Sequence, residues 1–222
     1  MSEFVHELLT PWNYAVDAET IPNFITETDF NLFTNCKFSD DTRIIANIPS
    51  ACASIRDYCG WHVSPNLACG VIYRVNDLRD YLIGNDLVIQ LPAKHVTSIE
   101  KVVLDAVLND VSHEYEGELT TDYDIDMGSG LLRVYDVGKR DRRSKIFVKF
   151  NAGYPDADIS TIKELAADLV SHSVVNPYGV NSETAGGVSV SYSSSWAGRA
   201  NSTTLVSDAR DMLETYKVRR VF

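Results

Sequence analysis

The sequence predicts an α+β fold, an α-helical bundle core with an inserted β subdomain and an extended β strand or hairpin before the C-terminal helix. Three observations predict it. Apolar residues recur at spacings of three and four at Ile44, Ile48, Cys52, Ile55 and Cys59; the period moves toward two between Cys69 and Tyr154; and the helical period returns after Pro155 at Ile162, Leu165, Ala166, Leu169 and Val170. This order divides the chain into an N-terminal arm (1–39), a helical core with a C-terminal tail (40–66 and 156–222) and an inserted β subdomain (67–155).

Taking the elements in order, Thr10 to Ser39 holds Pro11, Pro22 and the aromatics Trp12, Tyr14, Phe24, Phe30, Phe33 and Phe38. These aromatics are expected to bury against the chain's own core rather than a partner. Thr26 to Phe33 reads as a short helix with Glu27 and Asp29 in its first turn. The helix over Asp40 to Tyr58 takes Ser39 or Asp40 as its N-cap and Gly60 as its stop, with a kink or restart expected at Pro49, which lacks an amide donor.

Turn residues at Asn76-Asp77, Gly84-Asn85, Asn109-Asp110, Glu116-Gly117 and Gly128-Ser129-Gly130 punctuate the β section. They leave strands at Gly70 to Arg74, Leu87 to Leu91, Ile99 to Leu104, Asp122 to Ile125, Gly130 to Val134 and Lys145 to Phe150. A helix follows from Asp158 or Ser160 to Asn176-Pro177. Gly186-Gly187 introduces Val188, Val190 and Tyr192 in alternation, an exposed edge or hairpin that calls for a partner. A last helix runs from about Thr203 to Tyr216.

A net charge of −11 opposes independent binding to duplex DNA, whose affinity comes from Lys and Arg displacing counterions. The same acidity suits a wall past which a polyanion slides. No apolar run is long enough for a membrane span. Met1 to Thr10 carries two glutamates and no leader pattern, so the chain is expected to be uncleaved and cytosolic. The four cysteines, Cys36, Cys52, Cys59 and Cys69, match no paired zinc spacing, and Cys52 and Cys59 fall on the apolar stripe of a helix.

Candidate chemistry is sparse. Asp122, Asp124 and Asp126 alternate like the opening of a calcium loop, but Met127 and Arg133 stand where that loop needs glycine and a bidentate glutamate. A strand with Tyr123 and Ile125 inward accounts for the same residues. Lys139, Arg140, Arg142 and Arg143 form the densest basic segment, read as a hairpin loop that is solvated, meets an acidic protein surface or touches phosphate. His6, His62, His95, His113 and His172 belong to no catalytic motif, and His172, between Ser171 and Ser173, reads as a half-buried helix residue. Gly186-Gly187 reads as a turn leading into a β-type run rather than as an anion cradle. Tyr216, Lys217, Arg219, Arg220, Val221 and Phe222 are either a cationic helix end or a docking tail with an aromatic anchor.

Several segments, in order and spacing, carry a resemblance. They are Ile55-Arg56-Asp57-Tyr58-Cys59-Gly60-Trp61 with Pro65, Val96 to Val102, the turn from Tyr123-Asp124 to Gly130, Ile146 to Tyr154, Gly187 to Tyr192, and Leu213 to Tyr216 with Arg219-Arg220. From Ser39 to Phe222 the chain resembles the head–tail connector, or adaptor, proteins of long-tailed bacteriophages, which sit in the neck beneath the portal. Pro49 and the long N-terminal segment depart from short members of that family.

The resemblance implies a structural virion protein, assembled in the host cytoplasm, with no cofactor and no reaction of its own. Its implied partners are further copies in a ring, commonly dodecameric, the portal, and a stopper or tail-terminator, with DNA passing through unread. On that reading Tyr216, Lys217, Arg219, Arg220, Val221 and Phe222 dock to the portal or neck. Gly187, Val188, Val190 and Tyr192 form an intersubunit strand, and Lys139, Arg140, Arg142 and Arg143 meet a polyanion or acidic surface. Another tail-completion or tail structural protein is the competing reading, and a metal-dependent hydrolase using Asp122, Asp124 and Asp126 is a remote one.

Overall fold

Periodicity and turn chemistry place the elements, and the computed structural model shows how they pair. It describes residues 7–35, 37, 42–74, 82–108, 115–137, 144–175, 182–185, 188–191 and 207–218. The chain forms two compact units, the first from residues 1–21, 60–155 and 218–222, the second from 22–59 and 156–217.

The first unit is built on antiparallel sheets. Its six-stranded sheet has the order β1 (Glu7–Leu9), β2 (Ala15–Asp17), β3 (Leu67–Arg74), β10 (Lys145–Ala152), β6 (Val96–Leu108) and β7 (Tyr115–Thr120). β10 sits centrally because alternate residues Ile146, Val148, Phe150 and Ala152 are all buried, as a strand covered on one whole face must be. The register opposes Phe147 to Ile72 on one side and to Val103 on the other, and Val103 in turn to Leu119. A smaller sheet has the order β4 (Leu82–Ile83), β5 (Asp86–Gln90), β9 (Leu131–Val134) and β8 (Tyr123–Asp126). Its inner face carries Leu87, Ile89, Leu132 and Val134, all buried.

The second unit holds α1 (Glu27–Phe33), α2 (Arg43–Cys59), α3 (Ser160–Val175), α4 (Ser207–Leu213) with a 3-10 turn at Glu214–Tyr216, and the pair β11 (Ser182–Ala185) and β12 (Val188–Ser191). Helix α1 starts at a capping box: the Thr26 hydroxyl accepts from the Asp29 amide while the Asp29 carboxylate accepts from the Thr26 amide. Ile44, Ile48, Cys52, Ile55 and Cys59 are buried along α2, the stripe that the spacing predicts. Packing links α2 to α3 and α4, and α1 to α2 and α3. Lys163 of α3 reaches Asp29 of α1 at 3.3 Å and Asp156 at 2.7 Å.

The structure corrects three expectations. Helix α2 does not restart but runs unbroken from Arg43 to Cys59; Ile45, whose carbonyl would have received the missing amide, lies with Pro49 on the exposed side, where the carbonyl is open to solvent. The strands that flank the basic segment, β9 and β10, belong to different sheets and do not pair as a hairpin, while Lys139 to Arg143 lie outside the described residues. Five strands beyond the expected set are present: β1, β2, β4, β7 and β11. The proposed N-caps Ser39 and Asp40 lie outside the described residues.

Candidate functional site

The chain leaving α2 enters an aromatic turn in the first unit. Gly60 has φ +79°, and Val63, a buried β-branched residue, has φ +65°. The Ser64 amide bonds the His62 carbonyl at 2.8 Å, closing a γ-turn of the strained hand around Val63. Two backbone bonds hold the residues that follow β10: the Tyr154 amide to the Val63 carbonyl of the turn at 2.8 Å and the Gly153 amide to the carbonyl of His95, just before β6, at 3.2 Å.

Side chains complete this knot. Trp61, fully buried, packs its ring edge on His62 at 5.3 Å and lies 5.8 Å from the Tyr154 ring, on which His95 stacks at 4.6 Å. His62 Nε2 donates to the Ala152 carbonyl at 2.8 Å, since a carbonyl oxygen only accepts; in the neutral ring Nδ1 then accepts from the Tyr14 hydroxyl at 2.7 Å. The Tyr14 oxygen in turn accepts from the His62 amide at 3.0 Å. Both ring nitrogens of His62 are bonded inside the knot, so this imidazole serves to fix its geometry.

The outward face of the six-stranded sheet is of different character. Arg74, Lys145, Lys149 and Lys101 share it by register with Ile72, Phe147, Val103 and Leu119. Tyr115 stacks on Phe147 at 4.6 Å and Lys101 Nζ stands 5.9 Å above the same ring. Lys149 is nearly buried and pairs with Glu100 at 2.8 Å, and its hydrogen bond is the main cause that holds the Glu100 carboxyl below its ordinary value. Among the described residues, Arg74 and Lys145 have no ion-pair partner, and both are exposed. Sequence reasoning missed this face, although Lys145, Phe147 and Lys149 alternate with the buried Ile146, Val148 and Phe150.

The carboxylates that suggested calcium are placed on the edge strand β8 and its turn. Tyr123 and Ile125 are half-buried while Asp124 and Asp126 are exposed, the alternation of the strand reading. Asp126 caps the following turn, accepting from the Gly128 amide at 3.1 Å and the Ser129 hydroxyl at 2.6 Å; the bonds from Ser129 and Gly128 hold its carboxyl below the usual range. Arg133 reaches Asp86 at 2.6 Å and lies opposite Asp124 in the register. Among the described residues no group of His, Cys, Asp or Glu is arranged to hold a metal ion.

In the second unit, Tyr216 and Lys217 follow α4. Lys217 Nζ lies 4.7 Å above the Tyr58 ring and 3.5 Å from Glu214, and the Tyr58 hydroxyl donates to Glu214 at 3.1 Å. Arg219, Arg220, Val221 and Phe222 lie outside the described residues, as do Lys139, Arg140, Arg142, Arg143, Gly186, Gly187 and Tyr192. Val188 and Val190 are in β12, opposite Ala185 and Glu183 of β11, and among the described residues the other edge of β12 has no strand beside it. His172 is half-buried on α3, as its sequence position suggests.

A search of curated proteins finds no match to the chain. A family model described as head completion protein matches residues 23–219, beginning just before α1 and taking in every element except β1 and β2. With nearly the whole length matched across both units, the chain belongs to the head completion protein family.

Proposed function

We propose that this chain is a head–tail connector, an adaptor that forms a ring between the portal and the stopper or tail-terminator of a phage particle and continues the channel through which DNA passes. The family match over residues 23–219 carries the reading, because that family is a structural part of the phage head. The acidic charge agrees with it, since a wall that repels phosphate lets DNA slide. The ring contact is heterologous and closes by rotation. The role is assembly, performed by surfaces and not by a reaction.

Within that reading the helical core anchors to the neck and the residues between the first long helix and α3 form its insert. The docking segment comprises Tyr216, Lys217, Arg219, Arg220, Val221 and Phe222. Since Lys217 already packs on Tyr58 and Val218 is buried, the separable part begins at Arg219. Val188 and Val190, with Gly187 and Tyr192, supply an edge for a neighbouring copy. Lys139, Arg140, Arg142 and Arg143 meet a polyanion or an acidic protein surface.

Electron microscopy of the chain mixed with its portal tests the proposal. A coaxial ring on the portal's narrow end is the expected result. Absence of any portal contact, or particles that join heads to tails normally without the chain, overturns it.

A further inference from the structure

We infer that the outward face of the six-stranded sheet, around Arg74, Lys145, Ile72 and Leu119, is a docking surface for a second copy of this chain, which it meets through the acidic β8 edge of that copy. The inference rests on the assembly reading above and names the two halves of its contact.

The receiving face combines cations with apolar surface. Arg74 opposes Lys145 in the register, and Ile72, Phe147, Val103 and Leu119 lie in one row across four strands. Leu119 is 70% exposed and Ile72 38%, and these two are the apolar surface of the row, while Val103 and Phe147 are buried between them, Phe147 under Tyr115 and Lys101. Glu116 and Glu118 alternate to the opposite side of β7. A cationic face on a chain of net charge −11 is an exception that a complementary surface explains. Exposed Leu119 and Ile72 favour a protein over duplex phosphate, whose contacts are made by Lys, Arg and polar groups.

The complementary surface is on the same unit. Asp122, Asp124 and Asp126 are exposed along β8, next to exposed Met127 and Leu131. The Val96 amide bonds the Met127 carbonyl at 2.9 Å, and Val96 opposes Ala152. The acidic edge is therefore tied to the Ala152 end of β10, whereas Lys145 begins that strand. Eight residues of β10 separate the ends by about 23 Å at ~3.3 Å per residue. One copy thus presents cations at one end of the sheet and carboxylates at the other, the arrangement of a head-to-tail contact.

Sedimentation velocity on the full chain tests this with two charge-reversed variants, Arg74→Glu/Lys145→Glu and Asp122→Lys/Asp124→Lys, each checked for native circular dichroism. The wild type is expected to associate at about 100 µM in low salt and to weaken at least about tenfold near 0.5 M salt, where screening acts within a few ångströms. Each variant alone is expected to stay monomeric, and an equimolar mixture to associate again. A monomeric wild type, variants that associate like the wild type, or a mixture that stays apart overturns the inference. So does a band-shift with duplex DNA that Arg74→Glu/Lys145→Glu abolishes, which marks the face as a polyanion contact. None of these results involves the portal, so association through another surface sinks this contact and leaves the head–tail role standing.

Discussion

Tyr14 donates its hydroxyl to His62 Nδ1 at 2.7 Å and accepts from the His62 amide at 3.0 Å, so one phenol oxygen ties the segment before β2 to the aromatic turn after α2. Tyr14 lies outside the stretch matched by the head completion family, whereas His62 lies inside it. The N-terminal strands thus add to the sheet of the matched region and supply one of its buried hydrogen-bond partners. They also cover the outer edge of β3 with two short strands.

Replacing Tyr14 by Phe keeps the ring and removes the oxygen. The buried His62 Nδ1 and amide are then left without their partner, which costs about 1–3 kcal/mol. Thermal unfolding should fall by about 2–4 °C for each kcal/mol in a chain of this size. A variant with unchanged melting would show that the bond contributes nothing net.

Two glycines separate backbone strain from collision. At Gly153, φ is +135° and an added Cβ would strike the Pro65 carbonyl oxygen, held in place by the knot. Gly84 has φ +68° and open space around it. Gly84→Ala should cost about 1–2 kcal/mol, the penalty of a left-handed residue. Gly153→Ala adds overpacking and should lose about 3 kcal/mol or more. Equal melting temperatures for the two variants would contradict this account.

Lys163 sets a pH dependence of known sign. Burial alone would raise the Asp29 carboxyl, but its bonds from Thr26 and its attraction to Lys163 outweigh this and hold it below the ordinary value. Burial likewise opposes the Lys163 charge, and the bonds to Asp156 and Asp29 outweigh it and raise the ammonium above its ordinary value. The Asp29 contribution is therefore present above about pH 4 and lost as pH falls through its lowered value. The Lys163 contribution is present below about pH 10 and lost as pH rises through its raised value. Lys163→Met should cost about 1 kcal/mol at neutral pH and flatten the acid limb, as denaturant titrations at pH 7 and pH 3 would show. An unchanged acid limb would separate acid sensitivity from this cluster.

Deleting residues 219–222 removes the separable part of the tail while keeping Lys217 on Tyr58 and Val218 in its buried place. Circular dichroism and melting should match the full chain, and head–tail joining should fail in complementation. Normal joining would remove the docking role from these residues.

Elements with a strong local pattern were legible in the sequence. Helix α2 announces itself by its five buried stripe residues, and β10 by Ile146, Val148 and Phe150 at every second position. Strand β7, Tyr-Glu-Gly-Glu-Leu-Thr, has no apolar alternation and exists because β6 offers it a long ladder. The link between β9 and β10 was misread because strands adjacent in sequence usually pair, whereas β9 lies inside the smaller sheet and β10 at the centre of the larger. The bond from Tyr14 to His62 spans 48 residues and leaves no local signal. The cationic face was hidden for a related reason: Arg74, Lys101 and Lys145 are distant in sequence and meet only through the register of three strands.

The γ-turn at Val63 yields a prediction that inverts a general rule. At ordinary positions glycine is less stable than alanine by about 0.5–1 kcal/mol, because the unfolded chain gains freedom. Val63 is buried with φ +65°, a conformation that costs any residue with a Cβ about 1–2 kcal/mol. Val63→Ala forfeits burial of the side chain and keeps the strain, whereas Val63→Gly forfeits slightly more burial and relieves it. Both variants should be less stable than the wild type, since burying a valine is worth about 1.5–3 kcal/mol. Glycine should nevertheless equal or exceed alanine in denaturant midpoint. If alanine proves clearly the more stable, the left-handed backbone at Val63 is not what the turn requires.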